Sequence, residues 1–500
     1  MLAFFRIGRW GGTIAAVFAA MAGVFAALVA PVPGAALPHR GAGRALAAQA
    51  AGNVDIWLTT ADQRALLAQQ APLSFGASPA SGQSIIVDPA QRYQSMVGFG
   101  AAMTDASAFL INQRMTSAQR RALLRDLFDR PAGIGLNFMR LTLGSSDFSQ
   151  AHYSYDDQPA GQRDPGLRHF SIAPARRDIL PLARAVRRIN PTIAIMATPW
   201  SPPGWMKTSD SLIRGSLRDG SAQDFAAYLR RSVLAFGQAG VPIDYLSLQN
   251  EPDFEPADYP GMRLSAAQRA WLIGAFVGPA LQRSAPRTKI LEWDHNWDKP
   301  DQPLLALADP VATRFISGVG WHCYAGDAEA QRLVHDLHPK KDSFFTECSG
   351  GEWAKPWPDS WPWLMQNVMI GATRNWARGI LLWNLALDEH HGPHLGGCGN
   401  CRGVVTIDSQ TGAVSRNPEY YALAHFSRFV LPGATRIEST AAIGTVRSVA
   451  FINPDNSRVL ILFNNGEQDT PVSVQERGGR SFDYRLPPRA AATFRWRRAG

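Results

Sequence analysis

The sequence predicts an α/β fold, in which a (β/α)8 TIM barrel carries an associated β-sandwich domain built from both chain ends. Three patterns support this prediction. Apolar strand segments alternate with amphipathic helices over residues 96–428, which is typical of a parallel barrel. Residues 429–500 contain short strands at close spacing, separated by turns. Similar short apolar segments occupy residues 51–95, so we expect the two ends to share one β-domain.

The composition excludes several other classes of protein. The chain has 500 residues, of which 46% are hydrophobic and 18% are charged, so it can bury a large core and is not disordered. The formal charge is +9, but four arginines fall within residues 1–50, which we expect to be removed, and about +5 then remains. No run of Lys and Arg is long enough for a nucleic-acid-binding arm, so we predict no nucleic-acid partner.

Residues 1–50 have the pattern of a secretory signal followed by a leader of small residues. Arg6 and Arg9 precede an apolar stretch over residues 11–30, and small residues suited to cleavage follow at residues 45–50. The apolar stretch is also long enough to cross a bilayer as an uncleaved anchor, although its many alanines make it weakly hydrophobic for that role. We therefore expect a secreted or periplasmic protein, with an anchored protein as the alternative.

The β-domain is predicted from short apolar segments at both ends of the chain. Before the barrel, strands are expected at residues 54–59, 73–75 and 84–87, with a brief helix between Thr60 and Gln70. After the barrel, strands are expected at residues 445–452, 458–463, 470–474, 481–486 and 491–495. Turns rich in Asn, Pro, Asp and Gly separate these later strands, which is typical of a sandwich.

Eight barrel strands are predicted from the apolar runs between the helices. They are expected at residues 94–99, 137–143, 193–197, 245–248, 289–293, 318–324, 343–346 and 379–383. Capping boxes predict helix starts at Thr116 and Ser265, each with a Gln three residues later. A further helix is expected from Ser221, with one apolar face, and Gly240 should end it.

Two carboxylates lie at the carboxyl ends of predicted strands, where the catalytic groups of such barrels project. Glu251 follows the fourth strand and Glu347 follows the seventh. Either residue alone would be better explained as a solvated, salt-bridged strand end. Two of them, among Trp, Tyr, Asn and His, favour catalysis, because paired carboxylates across a barrel mouth can hydrolyse a glycosidic bond.

Several motifs in the same order resemble glycoside hydrolase family 30. They are GFGAAMTD at 98–105, ATPWSPPGWMKTS at 197–209, QNEPDFEP at 249–256, WNLALDEHHGP at 383–393 and AHFSRFVLPGATRI at 424–437. The resemblance extends from Gly98 to the end of the chain and is greatest to the glucosylceramidase (acid β-glucosidase) branch. It implies a retaining β-glycosidase that needs no cofactor or metal and acts on a carbohydrate or a glycolipid. A glycolipid substrate would bring the protein into contact with a membrane surface.

The resemblance also implies roles for individual residues. Glu251 corresponds to the general acid/base and Glu347 to the nucleophile. Substrate-binding residues are implied at Asp105, Trp200, Asn250, Tyr324, Trp383 and Asn384, and supporting residues at Arg140 and His322. Within this set, Asn250 would bind the sugar 2-OH, and Asp105 would bind outer hydroxyls of the ring. The charge of Glu347 in a partly dry pocket should raise the pKa of Glu251, as a general acid requires.

Other aromatic and histidine side chains have two interpretations. Five tryptophans could form the walls of a substrate cleft or could pack in the core, and these are Trp205, Trp353, Trp357, Trp361 and Trp363. His322 could act in the site directly or could be a hydrogen-bonded structural histidine. The sequence does not decide between these interpretations.

Residues 390–401 contain three histidines and a Cys-x-x-Cys pair. This spacing can bind zinc. In an exported protein, however, a disulfide between Cys398 and Cys401 or a plain loop is favoured. The glucosylceramidase pattern has no cysteines in this loop, so the aglycone specificity of that branch does not extend to it. The pairing of Cys323 and Cys348 stays open.

The favoured prediction is a secreted retaining β-glucosidase of the glucosylceramidase type, which cleaves by double displacement. An endo-β-1,6-glucanase and a β-xylosidase of the same family are alternatives. A non-catalytic carbohydrate-binding protein is an alternative from a different class. The presence of Glu251, Glu347 and Asn250 together argues against that last interpretation, because a decayed site usually loses one of these groups.

Overall fold

The structure, a computed structural model, describes residues 53–76 and 84–497. The predicted signal and leader at residues 1–50 lie outside the described residues. In chain order, the strands before the barrel are β1 Asn53–Thr60, β2 Ala68–Gln69, β3 Leu73–Ser74 and β4 Ser84–Ser95. Within the described part of the chain, no helix is long and apolar enough to cross a membrane.

Eight parallel strands form a closed barrel, as the sequence predicts. They are β5 Gly98–Met103, β6 Phe138–Thr142, β7 Ala194–Thr198, β8 Tyr245–Ser247, β9 Lys289–Asn296, β10 Ile316–His322, β11 Asp342–Glu347 and, after β12 Gly350–Gly351, β13 Ala377–Leu382. Hydrogen bonding follows this order around the ring, with β12 left out, and β13 closes on β5. A cluster of buried side chains fills the interior, from Phe138, Met196, Tyr245, Leu291, Phe344 and Leu381. The predicted fold class is confirmed.

Helices cover the outside of the barrel, and the three with predicted starts begin where the sequence predicts. They are α1 Asp105–Phe109, α2 Ser117–Phe128, α3 Ile179–Ile189, α4 Ala222–Gln238, α5 Ala266–Leu272, α6 Gly278–Ser284, α7 Asp301–Leu307, α8 Glu329–Leu337, α9 Trp361–Trp363 and α10 Pro418–Ser427. Thr116 caps α2 and Ser265 caps α5, both in capping boxes. Helix α4 follows Ser221, and Gly240 lies just beyond its end with a φ of 84°, a conformation that favours glycine.

Strands from both ends of the described chain form one sheet. Short strands in the loops are β14 Ala386–Leu387, β15 Cys401–Arg402, β16 Val405–Ile407 and β17 Val414–Arg416, and the C-terminal strands are β18 Thr435–Ser439, β19 Ala442–Ile443, β20 Val446–Ile452, β21 Ser457–Asn464, β22 Thr470–Glu476, β23 Ser481–Leu486 and β24 Ala490–Arg497. Strand β1 pairs antiparallel with β24, and β4 lies between β18 and β22. The N-terminal strands are therefore inserted among the C-terminal ones.

This sheet folds back on itself around its own apolar core. The order of strands is β2-β1-β24-β21-β20-β18-β4-β22-β23, so β23 and β24 are far apart in the hydrogen-bonded path. Even so, the rings of Phe482 on β23 and Phe494 on β24 lie 5.3 Å apart. Two layers of the sheet therefore face each other, which makes the domain a sandwich.

The predicted helix between Thr60 and Gln70 is wrong. Residues 61–67 form turns that lead from β1 into β2. Gln63 has a φ of 62° and Leu67 a φ of 52°, and a residue in this left-handed region interrupts a right-handed helix. The short spacing between two paired strands requires this tight turn.

The first barrel strand begins later than predicted. Residues 94–95 belong to β4 in the sandwich, and the barrel strand starts at Gly98. The side-chain amide of Gln94 donates to the carbonyls of Thr373 and Ala377, at 2.6 and 3.1 Å, which attaches the end of β4 to the barrel. Only residues 96–97 connect the two strands, so one apolar run in the sequence serves two domains.

A buried histidine joins the barrel to the sandwich. Nδ1 of His425, on α10, lies 2.8 Å from Oγ1 of Thr493 on β24, and its Nε2 lies 2.9 Å from Oγ1 of Thr59 on β1. Burial lowers the pKa of His425 to about 3. The rings of Trp57 and Phe429 lie 4.4 Å apart at the same junction, so apolar packing accompanies the hydrogen bonds.

Candidate active site

A cavity of about 540 Å³ opens at the carboxyl ends of the barrel strands. Six of the ten predicted site residues line it, namely Trp200, Asn250, Glu251, Tyr324, Glu347 and Trp383. Arg140 and His322 are fully buried beside them. The strand-end rule therefore brings most of the predicted residues together, because the strands of one barrel all end at the same face.

Glu251 and Glu347 lie against a common histidine. Glu347 is the last residue of β11, and Glu251 follows β8 with a φ of 46°, a conformation that costs energy for a residue other than glycine. Nδ1 of His322 lies 3.1 Å from Oε1 of Glu251 and 3.9 Å from Oε1 of Glu347. One ring nitrogen thus contacts both carboxylates, and the two groups can act on a single glycosidic bond.

Arg140, at the centre of β6, orients three acceptors. Its Nη1 donates to Oε2 of Glu347. Its Nη2 donates to Oδ1 of Asn250 at 2.7 Å and to Oδ2 of Asp294 at 2.9 Å. Asp294 lies in turn 3.0 Å from Nε2 of His322. These charge-assisted hydrogen bonds hold the catalytic face in one arrangement before substrate binds.

The pKa values of the two carboxyls shift in opposite directions. Burial raises the pKa of Glu251, but the hydrogen bond from His322 and the nearby positive charges, including Arg140, outweigh it and hold that pKa below its ordinary value. Burial raises the pKa of Glu347, and the same positive charges do not cancel that effect. Burial also disfavours the charged form of His322, but the surrounding carboxylates raise its pKa to about 9.

The expectation of a raised pKa for Glu251 is therefore wrong for the enzyme without substrate. The charge of Glu347 is only one of those that act on Glu251. His322, which is positively charged near neutral pH, lies against Glu251 and favours its ionised form. The proton that a general acid must supply is then held next to Glu251, on the imidazole.

Aromatic rings form the floor of the cavity. Trp200 and Trp383 stack with ring centroids 5.0 Å apart and planes inclined by 22°. The guanidinium of Arg140 lies 5.0 Å from the ring of Trp200 and 5.6 Å from that of Trp383, which fixes the pair from one side. In the same cavity, the hydroxyl of Tyr324 donates to Oε1 of Glu347 at 2.9 Å. Flat apolar rings beside polar groups suit a pyranose ring.

Asp105 and Asn384 are not among the residues that line the cavity, and both make hydrogen bonds within the protein. The carboxylate of Asp105 accepts from the hydroxyls of Ser149 at 2.5 Å and Tyr153 at 2.9 Å, so it is already bound within the protein. Asn384 is fully buried, and its Oδ1 accepts from Oγ1 of Thr104 at 2.9 Å. Their predicted roles in substrate binding stay predictions.

Three polar residues of the site were missed in the sequence. Asp147 lines the cavity and is only 7% exposed, and its Oδ1 has no hydrogen-bond partner among the described residues. Burial, with the charges of the two catalytic carboxylates, raises the pKa of Asp147 well above its ordinary value. Asp294 and His295 lie at the end of β9. All three follow the second or fifth strand, so the same strand-end rule applied there would have found them.

Of the five tryptophans that could form a cleft wall or pack in the core, three pack in the core and two line cavities. Trp205 and Trp361 are buried, and Trp357 packs against the core. Trp353 is 56% exposed and lines the cavity of the two carboxylates. Trp363 is 43% exposed and lines a neighbouring cavity.

Both cysteine pairs form disulfides. Cys398 bonds to Cys401, which confirms the favoured expectation, and both residues lie in the cavity wall. Cys323 bonds to Cys348, which resolves the pairing that the sequence left open. His391 contacts the carbonyl of Cys401, with Nδ1 at 2.9 Å, so the neighbouring histidine supports the closed loop.

One group of the described residues has its ligand atoms close enough together to hold a metal ion. Glu251, His295 and His322 offer atoms within 4.8 Å of one another. Nδ1 of His322 contacts Glu251, however, and its Nε2 contacts Asp294. Hydrogen-bond contacts of His322 therefore bring it against both Glu251 and Asp294.

The fold and the cavity together define a class of enzyme. Two carboxylates follow the fourth and seventh strands of a (β/α)8 barrel, beside a floor of stacked tryptophans. This is the equipment of a glycoside hydrolase.

Comparison with known proteins identifies the family. Residues 96–430 match the glycosyl hydrolase family 30 TIM-barrel domain, and residues 433–494 match the family 30 beta sandwich domain. The chain belongs to glycoside hydrolase family 30 and is a retaining glycosidase. The family predicted from the motifs is confirmed.

Individual relatives cover most of the chain. An endo-1,6-beta-D-glucanase of Neurospora crassa is 35% identical over 445 residues, which are 85% of this chain and 91% of the relative. A lysosomal acid glucosylceramidase of Mus musculus is 28% identical over 473 residues, 85% of this chain and 86% of the relative. The solved structure of an endo-beta1,6-glucanase superposes with a TM-score of 0.83 at 31% identity, covering 90% of this chain and 100% of that chain.

Proposed function

We propose that the protein is an endo-β-1,6-glucanase that retains the anomeric configuration. The observation that carries this proposal is the similarity to proteins of that name over most of the chain, at 35% identity for the Neurospora crassa relative and a TM-score of 0.83 for the solved structure. The glucosylceramidase relative is less similar, at 28% identity. The comparisons therefore support the predicted alternative better than the glucosylceramidase-like substrate.

In the proposed reaction, Glu347 attacks the anomeric carbon while Glu251 gives a proton to the departing glycosidic oxygen. The bond to the leaving chain breaks as the bond to the Glu347 carboxylate forms, which yields a glucosyl-enzyme. Glu251, now a carboxylate, takes a proton from water as the water oxygen attacks the same carbon. Glu347 then leaves as a carboxylate, and the two inversions give net retention.

The contacts of Glu347 support its role as nucleophile. Tyr324 donates to Oε1 and Arg140 to Oε2, so both carboxylate oxygens are oriented. Arg140 also holds Asn250, the residue that would bind the sugar 2-OH. A nucleophile positioned in this way needs little reorganisation when the substrate arrives.

The contact between His322 and Glu251 supports the role of Glu251 as acid and base. The imidazole holds a proton up to a pKa of about 9, and its Nδ1 lies 3.1 Å from Oε1 of Glu251. When substrate displaces water from the cavity, the charged forms of His322 and Glu251 become less favourable. The proton then passes from His322 to Glu251, where it is available to the glycosidic oxygen. After the glucosyl-enzyme has formed, Glu251 and His322 together can accept a proton from water.

The remaining wall supports binding of the sugar ring. The stacked rings of Trp200 and Trp383 offer an apolar face, and Asp147 lines the same cavity. Hydroxyls of a bound sugar would be hydrogen-bond partners for its carboxyl. Asp147 is therefore a further candidate, with Asp105, for binding the outer hydroxyls of the ring.

Export to an oxidising compartment is part of the proposal. Residues 1–50 have the pattern of a signal, and the cysteines form two disulfides, which persist mainly outside reducing cytosol. Fractionation of the producing cells should find the activity in the medium or the periplasm. Activity confined to the cytoplasm would contradict this part of the proposal.

A hydrolysis panel tests the substrate. Wild-type enzyme is incubated with β-1,6-glucan, an aryl β-glucoside, an aryl β-xyloside and glucosylceramide, with Glu347→Gln as the matched inactive control. We expect the highest kcat/KM on β-1,6-glucan, with release of oligomers of several lengths early in the reaction. A preference for glucosylceramide would instead support the glucosylceramidase-like alternative, for which the 28% identity to that relative is the evidence.

A further inference from the structure

A second cavity lies beside the one that contains the carboxylates. It has a volume of about 430 Å³, within the range of about 300–1,000 Å³ typical of small-molecule sites. Tyr324 and Trp353 line both cavities, so the two are neighbours that share part of a wall. A chain bound to the two carboxylates would have to pass only these side chains to enter the second cavity.

The wall of the second cavity combines exposed aromatic rings with polar groups. Trp353 is 56% exposed and Trp363 is 43% exposed, unlike the tryptophans nearby that pack in the core. The Cys323–Cys348 disulfide contributes to the apolar surface. Asp359 adds an exposed carboxylate, which accepts from the backbone N–H of Lys355 at 3.1 Å and so has a fixed position.

We propose that this second cavity is a subsite for a further glucosyl unit of the substrate chain, next to the unit held by the two carboxylates. The inference rests on the proposed function. The apolar C–H face of a glucose ring would stack on Trp363 or Trp353, and its equatorial hydroxyls would reach Asp359. A purely apolar chain would leave that carboxylate unmatched and would desolvate it without compensation.

The subsite explains how the site can favour an internal bond of a polymer. The stacked rings of Trp200 and Trp383 offer a face for one glucose ring, which a polymer and a small glucoside both provide. Binding energy from a neighbouring unit can be used to orient the bond that is cleaved. The advantage should therefore appear only with substrates long enough to occupy both cavities.

Chain-length dependence in a Trp363→Ala variant tests the inference. The ratio of kcat/KM on β-1,6-linked gluco-oligosaccharides to kcat/KM on an aryl β-glucoside is measured for increasing oligosaccharide length. We expect this ratio to fall about 10-fold in the variant once the substrate is long enough to fill both cavities, since one aromatic contact is lost. Trp271, which is 51% exposed on α5 and lines neither cavity, provides the control, and Trp271→Ala should keep the wild-type ratio.

Other outcomes would overturn the inference. An unchanged ratio in Trp363→Ala, with β-1,6-oligomers still cleaved, removes the subsite but leaves the proposed function intact. A selective loss on alkyl β-glucosides would instead make the cavity a site for an apolar aglycone. A wild-type enzyme that does not cleave β-1,6-oligomers overturns the proposed function and the subsite together. If Trp363→Ala fails to fold, Asp359→Ala is compared at the same oligosaccharide lengths and should also lower the ratio.

Discussion

At the scale of single residues, the two carboxylates of the site have different contacts, which suit them to different catalytic roles. Glu347 has an oriented donor on each oxygen, from Tyr324 and Arg140. Glu251 has instead a neighbouring imidazole that carries a proton near neutral pH. The first arrangement suits a group that must attack, and the second suits a group that must exchange protons.

Substitution of the carboxylates separates these roles. Glu347→Gln should abolish turnover, because no glucosyl-enzyme can form. Glu251→Ala should lower kcat/KM by about 10²- to 10⁴-fold on substrates with poor leaving groups and much less on activated aryl glucosides, which need little protonation. Added azide should restore turnover of Glu251→Ala and give a β-glucosyl azide, detected by NMR. An α-configured azide, or β-azide formed only by Glu347→Ala, would show that the roles are assigned incorrectly.

The proton held by His322 should determine the alkaline limb of the pH profile. In the wild type the pair retains its proton up to about pH 9, so activity is lost only as pH rises through that value. In His322→Gln only Glu251 can carry the proton, and a carboxyl releases a proton at a lower pH than the His322 imidazole does. We expect the alkaline limb of kcat/KM to move to lower pH in this variant. An alkaline limb that stays in place would mean that another group holds the proton.

Asp147, which lines the cavity, and Asp105, which is not in its lining, form a matched pair of carboxylates. Asp147→Ala should lower kcat/KM about 10- to 100-fold, because the variant loses the proposed hydrogen bond between a sugar hydroxyl and the Asp147 carboxyl. Asp105→Ala should mainly lower the free energy of unfolding, by about 1–3 kcal/mol, because Ser149 and Tyr153 lose their acceptor. Steady-state kinetics and thermal unfolding of both variants check this, and equal kinetic losses would contradict the separation.

At the scale of elements, the Cys323–Cys348 disulfide joins the carboxyl ends of β10 and β11. Each cysteine adjoins a residue of the site, since Tyr324 follows Cys323 and Glu347 precedes Cys348. The bond therefore restricts the relative movement of the nucleophile and its hydrogen-bond donor. It acts as a positioning device beside the chemistry.

Removal of this disulfide should change both stability and the titration of the nucleophile. Cys323→Ala combined with Cys348→Ala should cost about 3 kcal/mol of unfolding free energy. It should also shift the acidic limb of kcat/KM, because the Tyr324 contact to Glu347 is less well held. The control is the double variant Cys398→Ala with Cys401→Ala, which lacks the other disulfide. Its acidic limb should stay at the wild-type pH. Identical acidic limbs in wild type and the first double variant would exclude the positioning role.

The sequence predicted the strands well and the site incompletely, for physical reasons. Buried strands need continuous apolar runs, and all eight barrel runs overlap observed strands. The role of Asp105 was implied by the family resemblance, but the resemblance did not indicate that its carboxylate accepts hydrogen bonds from Ser149 and Tyr153. The pKa of Glu251 depends on His322, which lies 71 residues away in the chain. Contacts of that kind arise from closure of the barrel and are not visible in local patterns.

At the scale of the whole molecule, His425 couples the barrel to the sandwich and should make stability depend on pH. Its pKa is about 3 in the folded protein and 6.5 ordinarily, so the unfolded state binds the extra proton first. Stability is therefore fully present above about pH 6.5 and falls as pH drops towards 3, by up to about 1.4 kcal/mol per pH unit from this group. Chemical unfolding at several pH values should show a smaller slope in His425→Gln. An equal slope would assign the pH dependence to other groups.

The insertion of the N-terminal strands into the sandwich has a consequence for biosynthesis. Strand β1 is made before the whole barrel, and its partner β24 is made after it. On the ribosome, β1 and β4 therefore keep unpaired edges until all eight barrel strands have been synthesised. Such edges are prone to pair with other chains. Folding cannot proceed domain by domain from the first residue. We expect premature termination within the last strands to release a chain in which β1 lacks its partner β24, and such chains should be cleared or aggregate instead of leaving an active barrel behind.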